Sequence, residues 1–284
     1  MINKYVFFIL SSIICQSLTY GILSGNSGGN ILLFVSQGFF LTSAFYLLMA
    51  LLKNKAVRMC HVIILIKLNI STAIAFLCFY LSIYFIPASI SSLIEAAAGP
   101  LWGVIIGYLF FTRDISIKPL LLTFVIFISS MVVLFIENSG KFFLNDGIGI
   151  MLSLAAALGA TLIAFSSKNS EEIGLSAVTI LGYRFHFTWV LSLIIYQQVS
   201  GEVLLTSFKW EYFALAFVGI TLPMYFLQIG MQRVDPLVTM VCFSFVPVIT
   251  YLFESLFGKE LNFVVLGLLL LSVILAVIQI KRML

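Results

Sequence analysis

The sequence predicts an all-α membrane protein, and three observations support this fold class: the composition, a series of long apolar stretches and an internal repeat. Of its 284 residues, 62% are apolar and only 9% are charged, whereas soluble domains carry roughly 25% charged residues. Ten apolar stretches are each close to the roughly 20 residues that cross the bilayer as a helix. They lack the period-two alternation of membrane strands. We therefore predict a polytopic protein with ten transmembrane helices.

The ten stretches are separated by short connectors rich in Gly, Asn, Ser and Lys, and none of these connectors is long enough for a soluble domain. The first stretch has a single Lys4 at its positive end, continues past signal-peptide length and precedes no A-x-A-like site, so we expect it to be retained as a helix. The stretches run approximately over Lys4–Leu23, Ile31–Leu52, His61–Tyr84, Ala88–Phe111, Lys118–Ile136, Gly147–Ser166, Leu175–Val199, Trp210–Met231, Pro236–Phe257 and Leu261–Ile280.

A repeat of 147 positions relates the two halves of the chain. It places Pro100 on Pro247 and Gln37 on Arg184. Two copies of a unit with five membrane crossings must lie upside down relative to each other, because five is odd. Inverted repeats of this kind are the architecture of many alternating-access transporters. We predict two inverted five-helix repeats, residues 1–137 and 138–284.

The distribution of positive charge predicts the orientation in the membrane, because cytoplasmic loops carry an excess of Lys and Arg. With the amino terminus in the cytoplasm, eleven of the fifteen Lys and Arg residues fall on the inner side and Arg184 falls within a helix. Only Lys141, Lys209 and Lys259 fall on the outer side. The sequence therefore predicts a multi-pass protein of the cell (inner or plasma) membrane, with both termini in the cytoplasm.

These features together resemble the EamA-type members of the drug/metabolite transporter (DMT) superfamily. The resemblance covers the whole chain: five plus five helices, a proline in the fourth and ninth, an Arg in the seventh, and Asp114 and Glu260 just after the fourth and ninth. It implies a central cavity lined by helices such as the third, fourth, eighth and ninth, and export of small metabolites. The family often carries Arg in both the second and seventh helices. Gln37 stands at the second-helix position here and removes one of those charges.

Glu95 is the strongest candidate for a functional residue within a predicted span. An ionisable side chain at a helix centre costs roughly 2.5 to 3.5 kcal/mol to insert, so it normally faces a cavity or a partner. Ser91, Ser92, Gly99 and Trp102 fall on the same helical face as Glu95 and suit a cavity wall. The functional interpretation is a carboxylate that binds a substrate ammonium group or exchanges a proton. The structural alternative is a hydrogen bond to a neighbouring helix.

Arg184 offers three roles that the sequence leaves open. It could pair with Glu95, meet a substrate carboxylate through its planar fork, or cap a carbonyl group inside the bundle. The amides of Gln37 and Gln228 are further candidates for substrate binding, although side-chain hydrogen bonds between helices explain such residues as well. His186 points elsewhere on the seventh helix and is a candidate proton relay or a hydrogen-bonded interfacial histidine.

Aromatic residues could stack on an amphipathic substrate, although the chain has twenty-eight Phe residues and most aromatic side chains in a membrane protein face lipid or fill helix contacts. The small residue Gly99 beside Pro100, and its repeat mate Pro247, predict hinges next to the site. The aromatic candidates are Tyr80, Tyr84, Trp102 and Phe243.

The predicted function is a secondary active transporter that exports small amphipathic metabolites, amino acids or related compounds, by alternating access with proton coupling or exchange. An uptake carrier, a facilitative exchanger or a channel of the same fold are the alternatives. The sequence has no paired CxxC spacing and no phosphate loop, and His61 and His186 lack catalytic partners. We therefore predict no metal, no cofactor and no enzymatic activity. The expected partners are a small-molecule substrate, protons and the lipid bilayer, without nucleic acid, for a monomer or a homodimer.

Overall fold

The computed structural model confirms the all-α class. It describes residues 4–24, 28–53, 57, 59–111, 117–137, 143–201 and 209–283, and every regular element among them is helical. Asp114 and Lys141 lie outside the described residues. The α-helices are α1 (Lys4–Leu23), α2 (Gly28–Leu52), α3 (Met59–Phe85), α4 (Ala88–Phe111), α5 (Ile117–Glu137), α6 (Leu144–Glu172), α7 (Ala177–Tyr183), α8 (His186–Ser200), α9 (Trp210–Ala216), α10 (Leu222–Arg233), α11 (Pro236–Cys242), α12 (Val246–Leu256) and α13 (Phe263–Met283).

Eight stretches of the described residues are long and apolar enough to cross a membrane. They coincide with the first four predicted segments and with the sixth to the ninth. The remaining two predicted segments coincide with α5 and α13, whose described apolar stretches, Phe127–Glu137 and Phe263–Leu275, are shorter. The chain is therefore a multi-pass membrane protein, and the count of ten crossings remains a prediction.

Helix α6 extends beyond its predicted apolar core at both ends because local groups stabilise its termini. The carboxylate of Asp146 accepts a hydrogen bond from the backbone N–H of Phe143 at 2.7 Å, and a negative charge is favourable at a helix amino terminus. The carboxyl end stops where Gly174 adopts a positive φ of 74°, a conformation that glycine adopts without steric cost.

The spans of the two halves pack against each other in antiparallel pairs. Helix α1 lies against α10, with Gly230 close to the start of α1 at Ile9. Helix α3 lies against α6, with Gly149 close to the end of α3 at Ile86. Under the repeat of 147 positions, α1 corresponds to α6 and α3 to the α9–α10 span. The repeat therefore maps the contact of α1 with α10 onto the contact of α6 with α3, and the reverse.

The spans that correspond to each other under the repeat also pack in antiparallel pairs. Helix α2 crosses α7 and α8, where the Ser43 hydroxyl donates to the carbonyl of Gly182 at 2.8 Å. Helix α4 packs against α11 and α12. Ser89, at the start of α4, bonds Glu254 near the end of α12. An inverted repeat would give antiparallel mates, and the repeat itself remains a prediction.

The helices of three spans in the second half are interrupted. Each of the first four spans is one continuous helix, α1 to α4. A two-residue turn, Arg184–Phe185, separates α7 from α8. A π-helical turn, Phe217–Thr221, joins α9 to α10, and a 3₁₀ turn, Phe243–Phe245, joins α11 to α12. Helix breaks within membrane spans often mark binding sites.

The residues predicted as hinges lie in different settings. Pro247 lies in the first turn of α12, directly after the 3₁₀ turn, where its missing N–H leaves no hydrogen bond unmade. Pro100 lies inside α4, which remains a single helix. Gly99 faces Met240 of α11, whose sulfur would lie 3.3 Å from a Cβ atom at that position.

Candidate functional site

A central cavity lies between the two halves of the chain. Residues from α1, α3, α4, α6, α10 and the start of α12, together with the α7–α8 turn and the 3₁₀ turn before α12, line a small cavity of about 50 Å³. Its wall is mainly apolar and includes the rings of Phe76, Phe79 and Phe243. The polar residues in the lining are Gln16, Tyr20, Ser92, Glu95 and Arg184.

Glu95 lies in the second turn of α4 and contributes its carboxyl group to the cavity wall, one turn after Ser92. Its side chain is partly exposed, while both of its neighbours in the chain, Ile94 and Ala96, are buried. Among the described residues, no hydrogen bond or ion pair engages this carboxyl group. An intramembrane carboxyl group without a protein partner is available to a proton or to a cationic ligand.

Arg184 is fully buried, with 0% of its surface exposed, and lies in the turn between α7 and α8. Its Nη1 donates to the amide oxygen of Gln228, and its Nη2 lies 3.6 Å from the sulfur of Met224. The guanidinium carbon lies 4.7 Å from the centroid of the Phe185 ring. The Nε atom is buried without a hydrogen-bond partner, and no ion pair within the described chain includes Arg184. The pairing of Arg184 with Glu95 that the sequence left open is absent from this structure.

Two residues of α1 belong to the site although the sequence did not indicate them as ligands. The Tyr20 hydroxyl donates to the amide oxygen of Gln16 at 3.1 Å, and the Gln16 amide nitrogen donates to the Ser12 hydroxyl at 2.6 Å. Tyr20 and Gln16 both line the cavity. Ser12, Gln16 and Tyr20 are spaced four residues apart, which places them on one helical face. This spacing was the signal available in the sequence.

Several predicted site residues do not line the described cavity. Tyr80 is buried among aromatic rings that include Phe34 and Phe39. The Trp102 indole donates to the carbonyl of Leu154 at 3.2 Å. Tyr84 is 55% exposed and lines a different pocket, near Glu254.

The two predicted glutamines have different surroundings. Gln228 is fully buried next to the cavity and contacts it through Arg184. Gln37 is 3% exposed, and neither its amide oxygen nor its amide nitrogen has a partner among the described residues. Gln37 is absent from the lining of the central cavity.

The face of α4 that the sequence predicts as one wall is divided between two roles. Ser92 and Glu95 face the cavity. Ser91 instead hydrogen-bonds the hydroxyl groups of Ser82 on α3 and Ser153 on α6, the latter at 3.0 Å. The neighbouring serines of α4 therefore serve different contacts, because adjacent residues point about 100° apart around a helix.

At one end of the bundle, a buried carboxylate joins the two halves. Glu254 of α12 is 3% exposed and accepts hydrogen bonds from the Ser24 hydroxyl at 2.8 Å and from the Ser89 hydroxyl at 2.6 Å. Lys259 bridges Glu254 at 3.2 Å and Glu137 at 3.1 Å. We call these five residues the Glu254 cluster. The sequence predicts this end of the bundle to be the outer one.

At the opposite end of the bundle, the ion pairs among the described residues lie within the second half. Arg233 at the end of α10 lies 2.5 Å from Glu171 at the end of α6, and Lys168 lies 3.3 Å from the same carboxylate. Exposed ion pairs of this kind contribute little to stability.

Comparison with known proteins gives a likeness to one family model and to solved structures. Residues 147–280 match the model of the EamA-like transporter family. A solved structure, described only as the crystal structure of a protein, has a TM-score of 0.70 to this chain at 15% sequence identity. The match covers 99% of this chain and 98% of the other. At that identity the likeness shows the fold alone. Among curated proteins, no sequence matches.

Proposed function

We propose that the chain is a secondary active transporter that exports small amphipathic metabolites, such as amino acids or related compounds, because residues 147–280 match the model of the EamA-like transporter family. EamA-like proteins are membrane transporters of the DMT superfamily. We propose that transport proceeds by alternating access and is coupled to protons or to exchange.

The packing of the helices supports alternating access between two inverted repeats. The repeat mates α2 and the α7–α8 span lie antiparallel, as do α4 and the α11–α12 span. The contact of α1 with α10 has its counterpart in the contact of α6 with α3. Two inverted units that enclose one site can expose it to either side by rocking against each other.

The observation that carries the proposal is the presence of Glu95 and Arg184 in one cavity without an ion pair between them. The two side chains come from opposite halves of the chain. A ligand between them would place an ammonium group or a proton at Glu95 and an anionic group at Arg184. Its apolar part would contact Phe76, Phe79 and Phe243. Such a ligand is small and amphipathic.

In this scheme, the Glu254 cluster is the gate on the outer side of the membrane. It joins α1, α4 and α5 of the first half to α12 and Lys259 of the second half at the end that the charge distribution predicts to face away from the cytoplasm. Release to that side requires these contacts to separate. We place the protein in the cell (inner or plasma) membrane with both termini in the cytoplasm.

Counterflow in proteoliposomes tests the proposal, with radiolabelled L-leucine as the probe and a pH gradient imposed or absent. Glu95→Gln is expected to remove the effect of the pH gradient, and Arg184→Gln is expected to reduce leucine exchange at least about tenfold. Glu211→Gln removes an exposed carboxylate of α9 and serves as the matched control. Wild-type exchange and wild-type pH response in both site variants would refute the proposed site.

Two further measurements separate the alternatives. Thermal stabilisation by L-leucine, by isoamylamine and by 4-methylpentanoate compares one apolar body with zwitterionic, cationic and anionic groups. Glu95→Gln is expected to weaken the response to the amine, and Arg184→Gln the response to the acid. A channel would show no counterflow, and leucine accumulation by cells that overproduce the protein would indicate an uptake carrier.

A further inference from the structure

The turn that carries Arg184 is held open by a side chain from the other half of the chain. In an unbroken α-helix, the N–H of residue 187 bonds the carbonyl of residue 183. Here the N–H of Phe187 donates to Oδ1 of Asn69 at 3.2 Å, and Nδ2 of Asn69 donates to the carbonyl of Tyr183. The carboxamide of Asn69 is thus inserted into one rung of the helical hydrogen-bond ladder, and an inserted side chain is a known cause of a helix break.

A second side chain of the first half takes another carbonyl group freed by the break. The Ser43 hydroxyl of α2 donates to the carbonyl of Gly182 at 2.8 Å. The backbone of α2 also packs closely against Gly182, since a Cβ atom at this residue would lie 2.9 Å from the nitrogen of Leu47. The break therefore lies between α2 and α3 and is stabilised by both.

We propose that Asn69 is the positioning residue for Arg184: its carboxamide holds the α7–α8 break open and so keeps the guanidinium group at the cavity wall. Arg184 is fully buried and has a single amide oxygen, that of Gln228, as its oxygen partner within the described residues. Its location therefore depends on the backbone turn rather than on an ion pair. Loss of the insertion would let the ladder close and would move Arg184 relative to Gln228. This inference rests on the proposed function only for its transport readout.

A double-mutant cycle tests the coupling of Asn69 to Arg184. L-leucine counterflow is measured for the wild type, Asn69→Ala, Arg184→Gln and the double variant. We expect Asn69→Ala to reduce exchange roughly 10-fold to 100-fold, and to cause no further loss when Arg184 is already Gln, because residues that act together give non-additive effects. Losses that multiply in the double variant would show a merely structural role and would overturn the proposal. So would wild-type exchange in folded Asn69→Ala protein.

Gln232 provides the matched control. It is buried like Asn69, with 7% and 8% exposure respectively, and its carboxamide also bonds a backbone carbonyl, that of Leu175 at 2.9 Å. Gln232→Ala is expected to retain leucine exchange. In the double variant with Arg184→Gln, the fold losses of the two single variants are expected to multiply, as they do for independent residues. If Asn69→Ala fails to fold, Ser43→Ala removes the neighbouring bond to Gly182 and is expected to show a smaller loss that is also non-additive with Arg184→Gln.

The emission of Trp189 reports the break without any transport measurement. Trp189 lies just after the break, and its indole nitrogen lies 3.4 Å from Nδ1 of His186. In a chain that carries Trp102→Phe and Trp210→Phe, Asn69→Ala is expected to shift the emission maximum of Trp189, and Gln232→Ala is not. An unchanged maximum would overturn the positioning role. Wild-type exchange by Arg184→Gln would instead refute the proposed transport site, and Trp189 emission would still decide whether Asn69 holds the break.

Discussion

Arg184 donates a hydrogen bond to the amide oxygen of Gln228, so that a buried guanidinium is held by a neutral group. An amide satisfies one donor and leaves the positive charge uncompensated. A carboxylate in the same place would neutralise that charge and occupy the fork that a ligand needs. The choice of Gln at position 228 therefore keeps Arg184 both ordered and free to bind an anionic group.

Two substitutions at Gln228 separate these effects. Gln228→Leu removes the acceptor from a buried charged donor, and we expect the free energy of unfolding to fall by about 2–3 kcal/mol. Gln228→Glu supplies a carboxylate, and we expect it to keep thermal stability but to reduce leucine counterflow. Thermal denaturation and counterflow on the same preparations measure both outcomes. Normal counterflow in Gln228→Glu would contradict the role assigned to the amide.

The close contact of α3 with α6 at Gly159 is the basis of a second prediction. A Cβ atom at Gly159 would lie 2.4 Å from the backbone nitrogen of Ala75 and 2.8 Å from its Cα. Backbone atoms cannot rotate away, so Gly159→Ala is expected to separate the helices and to destabilise the protein by about 1–3 kcal/mol. Gly147→Ala is the control on the same helix, because nothing lies within 4 Å of its Cβ position. Equal melting temperatures for the two variants would contradict this packing.

The π-helical turn between α9 and α10 allows an even closer approach. A Cβ atom at Gly219 would lie 1.6 Å from the hydroxyl oxygen of Thr19 on α1. Gly219→Ala is expected to lower the melting temperature, with a cost of about 1–3 kcal/mol. Thr19→Gly removes the opposing side chain and is expected to restore part of the loss in the double variant. The absence of any restoration would show that the effect arises within the π-helical turn itself.

The Glu254 cluster predicts that a single lysine matters for stability. Lys259→Met leaves the buried carboxylate of Glu254 without its cation, and we expect a loss of about 2–3 kcal/mol in thermal denaturation. The loss is expected to persist at high salt, since buried charges are screened far less than exposed ones. Lys209→Met is the control, because Lys209 bonds the amide oxygen of Asn30 and no carboxylate among the described residues. Equal stability of the two variants would contradict the assignment.

The helices could be predicted from the sequence because a bilayer forces each crossing segment to be long and apolar. The same rule identified Glu95 and Arg184, since both residues are costly within a membrane and both lie in the cavity wall. Hydropathy carried less information about helix faces. Lipid-facing and protein-facing surfaces are both apolar in this chain, so Tyr80 and Trp102 could not be distinguished from true cavity residues.

The role of Asn69 was beyond sequence reasoning for a different reason. A lone Asn within an apolar stretch indicates a hydrogen bond to a neighbouring helix, but its partners here are the backbone groups of Phe187 and Tyr183. Nothing in the residues 183–187 marks a break, because the segment lacks Pro. The break becomes visible only when α3 and the α7–α8 span are placed together.

The insertion of Asn69 also has a consequence for how the protein is made. The backbone groups that it satisfies belong to a segment synthesised more than a hundred residues later, and a bare N–H or carbonyl group in lipid costs several kcal/mol. The ribosome delivers the amino-terminal half first, so α2 and α3 are already in the bilayer when the seventh segment arrives. The early half thus serves as a template on which the later half acquires its broken helix.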